Sequence, residues 1–282
     1  MLGGSGPKQL SNPRGIYIDS DDTLYICDSG NNRIQKWTSN AAVGETVAGD
    51  GNVFVGPTAT NLNGPNDITF DRTGYMYVVD QEFNRVQRYA PNSAIGKTVA
   101  GAANGNLGTS NNRLWSPRSI AVDNDLNIYI TDSTNNRVMK WAPNATSGTV
   151  FVSSSTYSQP YGIILKDDSS NEIYVSDTFS ASVDQWFFGA SQPNNRIAGV
   201  NMFDLSQPYG IIFDFSGNLY VADRGKQSVL KFCVGSTTPI VVVGGSGTVP
   251  ANIYPIDIAF DSNWNLYVSD DYSNAIIKFD RL

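Results

Sequence analysis

Histidine is absent from the 282 residues of this chain. Nucleophilic systems that need an imidazole base, Ser-His-Asp or Cys-His, therefore cannot be assembled from it. Zinc sites built on imidazole are excluded too. The two cysteines, Cys27 and Cys233, are too few for a structural site of cysteine ligands alone. Glutamate is scarce: Glu45, Glu82 and Glu172 are the three among 26 acidic residues. The other acidic residues are aspartates, and aspartate is a turn residue. Long apolar runs are missing, so no membrane-spanning helix is expected. The opening Met1-Leu-Gly-Gly-Ser-Gly6 lacks the charged start and apolar core of a signal peptide. The compartment is left open between the cytoplasm and an extracellular domain of a larger protein.

The net charge of −7 and the sequence pI near 4.5 speak against general affinity for nucleic acid, which rests on phosphate neutralisation by Lys and Arg. Hydrophobic content is 40%, ordinary for a soluble globular chain, and the 11% of aromatics is generous.

What the chain has is a repeat. Proline recurs at Pro13, Pro65, Pro117, Pro160, Pro208 and Pro255, at spacings of 52, 52, 43, 48 and 47 residues. Asp28, Asp80, Asp132, Asp177, Asp223 and Asp270 follow in step, and each has a tyrosine three residues earlier. The clearest copy runs from Tyr129 through Asp132 and Asn136-Arg137 to Trp141. It reads as a short strand ending in Asp, a polar turn, and a second strand opening with Arg and closing on an aromatic. Another strand follows each proline, as in Gly15–Asp19, and a looser one comes later, as in Thr46–Gly49. Four strands per unit, unit lengths of 43 to 52 residues and no helical period match the blade of a β-propeller.

The expected fold is all-β: one domain over 1–282, a six-bladed propeller of four-stranded blades. The blades fall near 10–61, 62–113, 114–156, 157–204, 205–251 and 252–282 plus 1–9. The last unit stops after its third strand, so Met1–Gly4 is expected to complete it and close the ring. Cys27 and Cys233 fall in units one and five, which are not neighbours, so no disulfide is expected.

The pattern Pro-x-Gly-Ile, then Leu-Tyr-Val-x-Asp, then Asn-Asn-Arg-Val-x-Lys-Trp resembles the NHL repeat, and six copies resemble an NHL propeller over essentially the whole chain. That resemblance is specific for fold and not for function. The amidating lyases of this architecture use histidine-bound zinc, which this chain cannot supply. Six-bladed lactonases and related hydrolases hold calcium in the channel on Glu, Asn and Asp. Asn66, Asp67 and Asp257 are the residues here that could do so.

The six repeated aspartates are expected to be structural, accepting hydrogen bonds from turn N–H groups. Arg33, Arg85 and Arg137, also at one repeat position, are expected to tie blades together. Function is sought where the repeats differ. The residues after each proline ring the channel mouth, giving Arg14, Asp67, Arg118, Tyr161, Tyr209 and Asp257. The turns beside them add Phe179, Arg224 and Tyr272. A mouth with a charged side and an aromatic side suits a protein, peptide or glycan partner. The leading expectation is a non-catalytic, monomeric recognition module without a cofactor. The alternative is a calcium-dependent hydrolase or lactonase, and the third reading is an RNA-binding NHL domain. The sequon Asn144-Ala-Thr146 lies in a loop that nearly copies residues 90–96, and is read as a shared surface loop.

Overall fold

The computed structural model describes residues 3–51, 56–152, 158–166, 171–198, 204–245 and 253–281. Six antiparallel sheets follow one another along the chain. Five have four strands each in simple up-and-down order, and among the described residues the sixth has three. The first blade is typical: Pro13–Ile18, Leu24–Asp28, Arg33–Trp37 and Glu45–Ala48. The first strands of successive blades pack side by side, and that of the sixth packs against that of the first, which closes the ring. Met1 and Leu2 of the expected closing strand lie outside the described residues. Gly3 lies against the side chain of Asn274, the residue before the last strand, and Asn274 accepts the Asn12 N–H at 2.7 Å. The same tie joins Asn32 to Gly64 and Asn84 to Ser116 between other blades.

The core is six apolar wedges between adjacent blades. One joins Val79 and Val86 of blade two to Ile120, Ile130 and Trp141 of blade three. Each strand contributes alternate residues to each of its two faces, and both faces are covered. This is why the strands after the prolines read as continuous apolar runs.

The repeated aspartates have the structural role expected of them. Asp177 accepts N–H groups from Ser158, Phe179 and Ser180, and Asp223 accepts those of Ser206, Gln207 and Lys226. In blades one to three an arginine joins them. Arg85 donates to Asp80 at 2.7 Å and to the carbonyls of Thr58 and Asn61 at 2.8 and 3.0 Å. Arg33 and Arg137 repeat the arrangement, so each pins the chain entering its blade. The residue before each third strand is left-handed in all six blades, with φ from 49° to 56° at Asn32, Asn84, Asn136, Ala181, Gln227 and Asn274. Asparagine tolerates that conformation best among non-glycines, which accounts for the Asn-Asn-Arg signature. Both cysteines are free.

Candidate functional site

Each first strand carries an irregularity just after its proline. In blade one the ladder pairs Pro13 with Asp28 and Ile16 with Ile26, leaving one extra residue on the proline strand. The same shift recurs in the other five blades. A bulge of this kind re-aims side chains and frees backbone groups from the ladder. Here it turns the residues directly after the proline toward the propeller axis.

The freed N–H groups are captured by side chains. Thr131 Oγ1 accepts Ser119 N and donates to the Tyr161 carbonyl at 2.7 Å. Ser176 Oγ accepts Gly162 N and donates to the Tyr209 carbonyl at 2.6 Å. Asp257 accepts Ile16 N at 2.9 Å across the ring closure. Asp67 accepts Ile68 N at 2.7 Å, Ile120 N at 3.0 Å and the Ser119 hydroxyl at 2.5 Å.

The axis itself is nearly filled. All six blades contribute to a cavity of about 20 Å³, lined by Asp67, Asp257, Arg118, Ser119 and Tyr161 among others. That is room for about one water molecule, not for a ligand. The expected open channel is thus a shallow mouth over a plugged axis.

Asp67 and Asp257 face that cavity together. Both keep a minority of their surface accessible. Burial pushes the Asp67 carboxyl up to about 6, against the opposing pull of its hydrogen bonds from Ser119, Ile120 and Ile68. Burial, reinforced by the charge of Asp67, pushes Asp257 well above the usual carboxylate range. Both carboxyls therefore hold their protons more tightly than ordinary carboxylates, and ionisation of Asp67 disfavours that of Asp257. Cys27 lies behind them, fully buried, and its thiol is driven well up by burial, which leaves it inert.

Above this layer lies the mouth. Arg14 forms no ion pair with Asp67 or Asp257. Arg14 instead donates to Asn66 Oδ1 at 2.7 Å and Gln81 Oε1 at 3.3 Å, because Asp67 and Asp257 turn their carboxylates to backbone N–H groups. Arg118 shares the Gln81 oxygen at 3.1 Å and lies over the Tyr161 ring. Tyr161 stacks on Tyr209 with centroids 4.1 Å apart and planes 5° from parallel. Arg224 reaches Asp271 at 3.3 Å and covers Tyr254, which touches Tyr272. Phe179 and Tyr272 are exposed, at 76% and 75%, and line the outside of this face rather than the cavity. Gln81 and the bridging hydroxyls were not legible in the sequence. Gln81 follows the second-strand Asp80 like any turn residue, and nothing local shows that it reaches two arginines.

The Asn66, Asp67 and Asp257 set does not fit calcium. Asn66 Oδ1 already receives the Arg14 guanidinium, and its amide donates to the Arg118 carbonyl at 2.6 Å. A divalent cation there would stand beside a fixed arginine. No cluster of three potential metal-ligating His, Cys, Asp or Glu residues occurs among the described residues.

Larger cavities exist at the rim. Those of about 350, 330 and 410 Å³ lie beside Trp141 and Asn144, beside Tyr89 and Asn92, and beside Phe232 and Cys233. They are the same interblade cleft repeated at three junctions, under the loop after the third strand, which marks them as architecture. The sequon residue Asn144 is exposed on one such loop.

The NHL repeat family matches at residues 10–37 and 114–141. No curated protein matches the sequence. Among solved structures, a gluconolactonase from Xanthomonas campestris superposes with a TM-score of 0.69 at 16% identity, covering 93% of this chain and 84% of that one. Selenomethionine-substituted virginiamycin B lyase from Staphylococcus aureus gives 0.64 at 13%, covering 96% and 84%. A catalytically inactive histidine-to-alanine variant of the lyase, with quinupristin, gives 0.65 at 13%, covering 99% and 87%. At these identities the likeness establishes the fold. It also corrects the expectation of a non-catalytic scaffold, since these matching propellers are enzymes, one a lactonase and the other a lyase. No helix among the described residues is long and apolar enough to cross a membrane. The chain is an all-β, six-bladed propeller that carries NHL repeats.

Proposed function

We propose that this propeller is a hydrolase of lactones or related esters, working at the mouth over the axial carboxylate pair. The observation that carries the proposal is the pair itself. Asp67 and Asp257 border one water-sized cavity, with proton affinities raised by burial and, at Asp257, by the charge of Asp67. Two neighbouring carboxyl groups, one ionised and one protonated, supply a general base and a general acid.

The chemistry follows from these positions. Asp67, ionised above about pH 6, takes a proton from the cavity water. The water oxygen bonds to the acyl carbon of a substrate seated at the mouth. Charge gathers on the former carbonyl oxygen. Tyr161 lines this space, and its hydroxyl is buried and has no hydrogen-bond partner, so it is a donor available to that charge. Collapse breaks the acyl C–O bond, and the leaving alkoxide takes the Asp257 proton. The products are a carboxylic acid and an alcohol, joined in one molecule if the substrate is a lactone. Passage of the proton from Asp67 to Asp257 restores the pair.

Two facts favour hydrolysis over the lyase's chemistry. The lyase variant that lost a histidine is catalytically inactive, and this chain has no histidine at all. The Arg14 guanidinium bound to Asn66 Oδ1 favours a carboxylate mechanism over the calcium-dependent one.

The test is turnover of a panel of sugar lactones, aliphatic lactones and aryl esters by wild type, Asp67→Asn and Asp257→Asn. Circular dichroism melts establish that each variant folds. Activity in the wild type that drops at least about a hundredfold in folded Asp67→Asn is the expected result. Full activity in that variant, or none in the wild type across the panel, defeats the proposal.

A further inference from the structure

The chain carries seven more negative than positive charges, yet its mouth gathers cations. Arg14 and Arg118 converge on one neutral acceptor, Gln81 Oε1, at 3.3 and 3.1 Å. Neither has a carboxylate within ion-pair distance among the described residues, unlike Arg33, Arg85, Arg137, Arg196 and Arg224. Two guanidinium groups sharing one amide oxygen repel each other, and an anion between them would relieve that. Arg14 Nε is buried and has no partner. An unsatisfied buried donor on a cation calls for a ligand or a water.

The aromatic side of the mouth sets the rest of the ligand. Tyr161 and Tyr209 form a parallel stack, and Arg118 covers Tyr161 at 5.4 Å. On the other flank Arg224 covers Tyr254 at 5.6 Å, although its charge is partly taken by Asp271. With Arg118 over one face of Tyr161 and Tyr209 against the other, the half-buried Tyr209 ring is the flat surface left, and a flat ring beside guanidinium groups matches a planar body bearing a carboxylate. The planar part stacks and the carboxylate takes parallel N–H bonds from arginine.

We infer that the mouth is a recognition site for a flat organic carboxylate, held by Arg14 and Arg118 and seated on the Tyr161–Tyr209 stack. Joined to the hydrolase reading, this names the substrate class as anionic, but the binding site stands on its own observations. The negative charge of Asp67 lies one layer deeper and is already met by two N–H groups and a hydroxyl. Glu82 accepts from the Gln81 amide and is exposed, so solvent screens it.

The probe is benzoate, with benzamide as its neutral isostere and inorganic phosphate as a second anion, measured by calorimetry with the intact chain. Benzoate is expected to bind in the millimolar range, at least about tenfold tighter than benzamide, and more weakly as salt rises. Arg118→Gln is expected to lose about tenfold, while Arg118→Lys recovers part of it. Arg14→Gln is expected to do the same, and a melt shows whether it folds. If it does not, Arg118→Gln and Arg118→Lys decide. Equal binding of benzoate and benzamide, no change in folded Arg118→Gln, or displacement of benzoate by an equal concentration of phosphate overturns the inference. A protein that binds benzoate but hydrolyses nothing defeats the proposed reaction alone. One that hydrolyses neutral lactones and ignores benzoate defeats this inference alone.

Discussion

Gly210 and Asp257 compete for one space: a β-carbon on Gly210 would stand 2.1 Å from Asp257 Oδ1 and 2.8 Å from its Cα. Gly15 relates to Asp67 in the same way, with a β-carbon 2.6 Å from the Asp67 Cα. Each axial carboxylate therefore has a glycine on the preceding blade.

Gly210→Ala is accordingly expected to destabilise the protein by about 1–3 kcal/mol, the usual cost of overpacking a closed interior. The backbone of Asp257 cannot yield without moving its strand. Urea titration reads this as a lower midpoint with an unchanged slope. A midpoint equal to that of wild type would show that the axis has slack.

The arginine clamps should differ with burial. Arg85 is 2% exposed and Arg33 is 13% exposed, with the same partners in kind. Arg85→Met leaves Asp80 and two carbonyls without their donor, at a cost of about 3–5 kcal/mol. Arg33→Met is expected to cost less, because water reaches its site. Chemical denaturation of the two variants side by side checks the order, and the reverse order would contradict it.

Turnover and stability should respond to pH in opposite senses. The base must be ionised, so kcat/KM is expected to rise with pH through about 6, the Asp67 value, and to fall where Asp257 loses its proton. For stability, the folded state holds the Asp67 proton more tightly than the unfolded chain. Between the unfolded value of 3.8 and about 6 the native state binds more protons. The Asp67 contribution therefore favours folding below 3.8 and is lost as pH rises through about 6. Subtracting the pH–stability curve of Asp67→Asn from that of wild type reads it together with the effect of Asp67 on Asp257. A difference that does not change across that window would refute the shift.

Calcium should not matter to the fold. Melts in EDTA and in millimolar calcium are expected to coincide, because Asn66 is engaged by Arg14 and by the Arg118 carbonyl. A rise of several degrees in calcium would reveal a native-state metal site and restore the calcium-dependent alternative.

Much of this architecture was legible in the residues. Proline, Tyr and Asp at fixed offsets mark the first two strands of every blade, and Asn-Arg marks the turn and the third strand in blades one to three. The site was legible in part. The residues after Pro13, Pro65, Pro117, Pro160, Pro208 and Pro255 do surround the axis, so Asp67, Arg118, Tyr161 and Asp257 meet there. Their partners were not legible. Asp67 and Arg14 follow the prolines of adjacent blades, but the bulge frees N–H groups that claim the Asp67 oxygens. Phe179 and Tyr272 followed from turn position alone and are exposed at the edge of the face.

The sequence by itself determined the blade, because strand period, turn chemistry and capping are local and repeat with every unit. It also determined that no imidazole takes part. The tertiary structure decided which side chains share the axis and in what protonation state. Arg14 meets Asn66 across 52 residues, and Asp257 meets Ile16 across 241. Those meetings depend on ring closure and on one extra residue in each first strand. The raised carboxyls depend on burial, which exists once all six blades have closed around them.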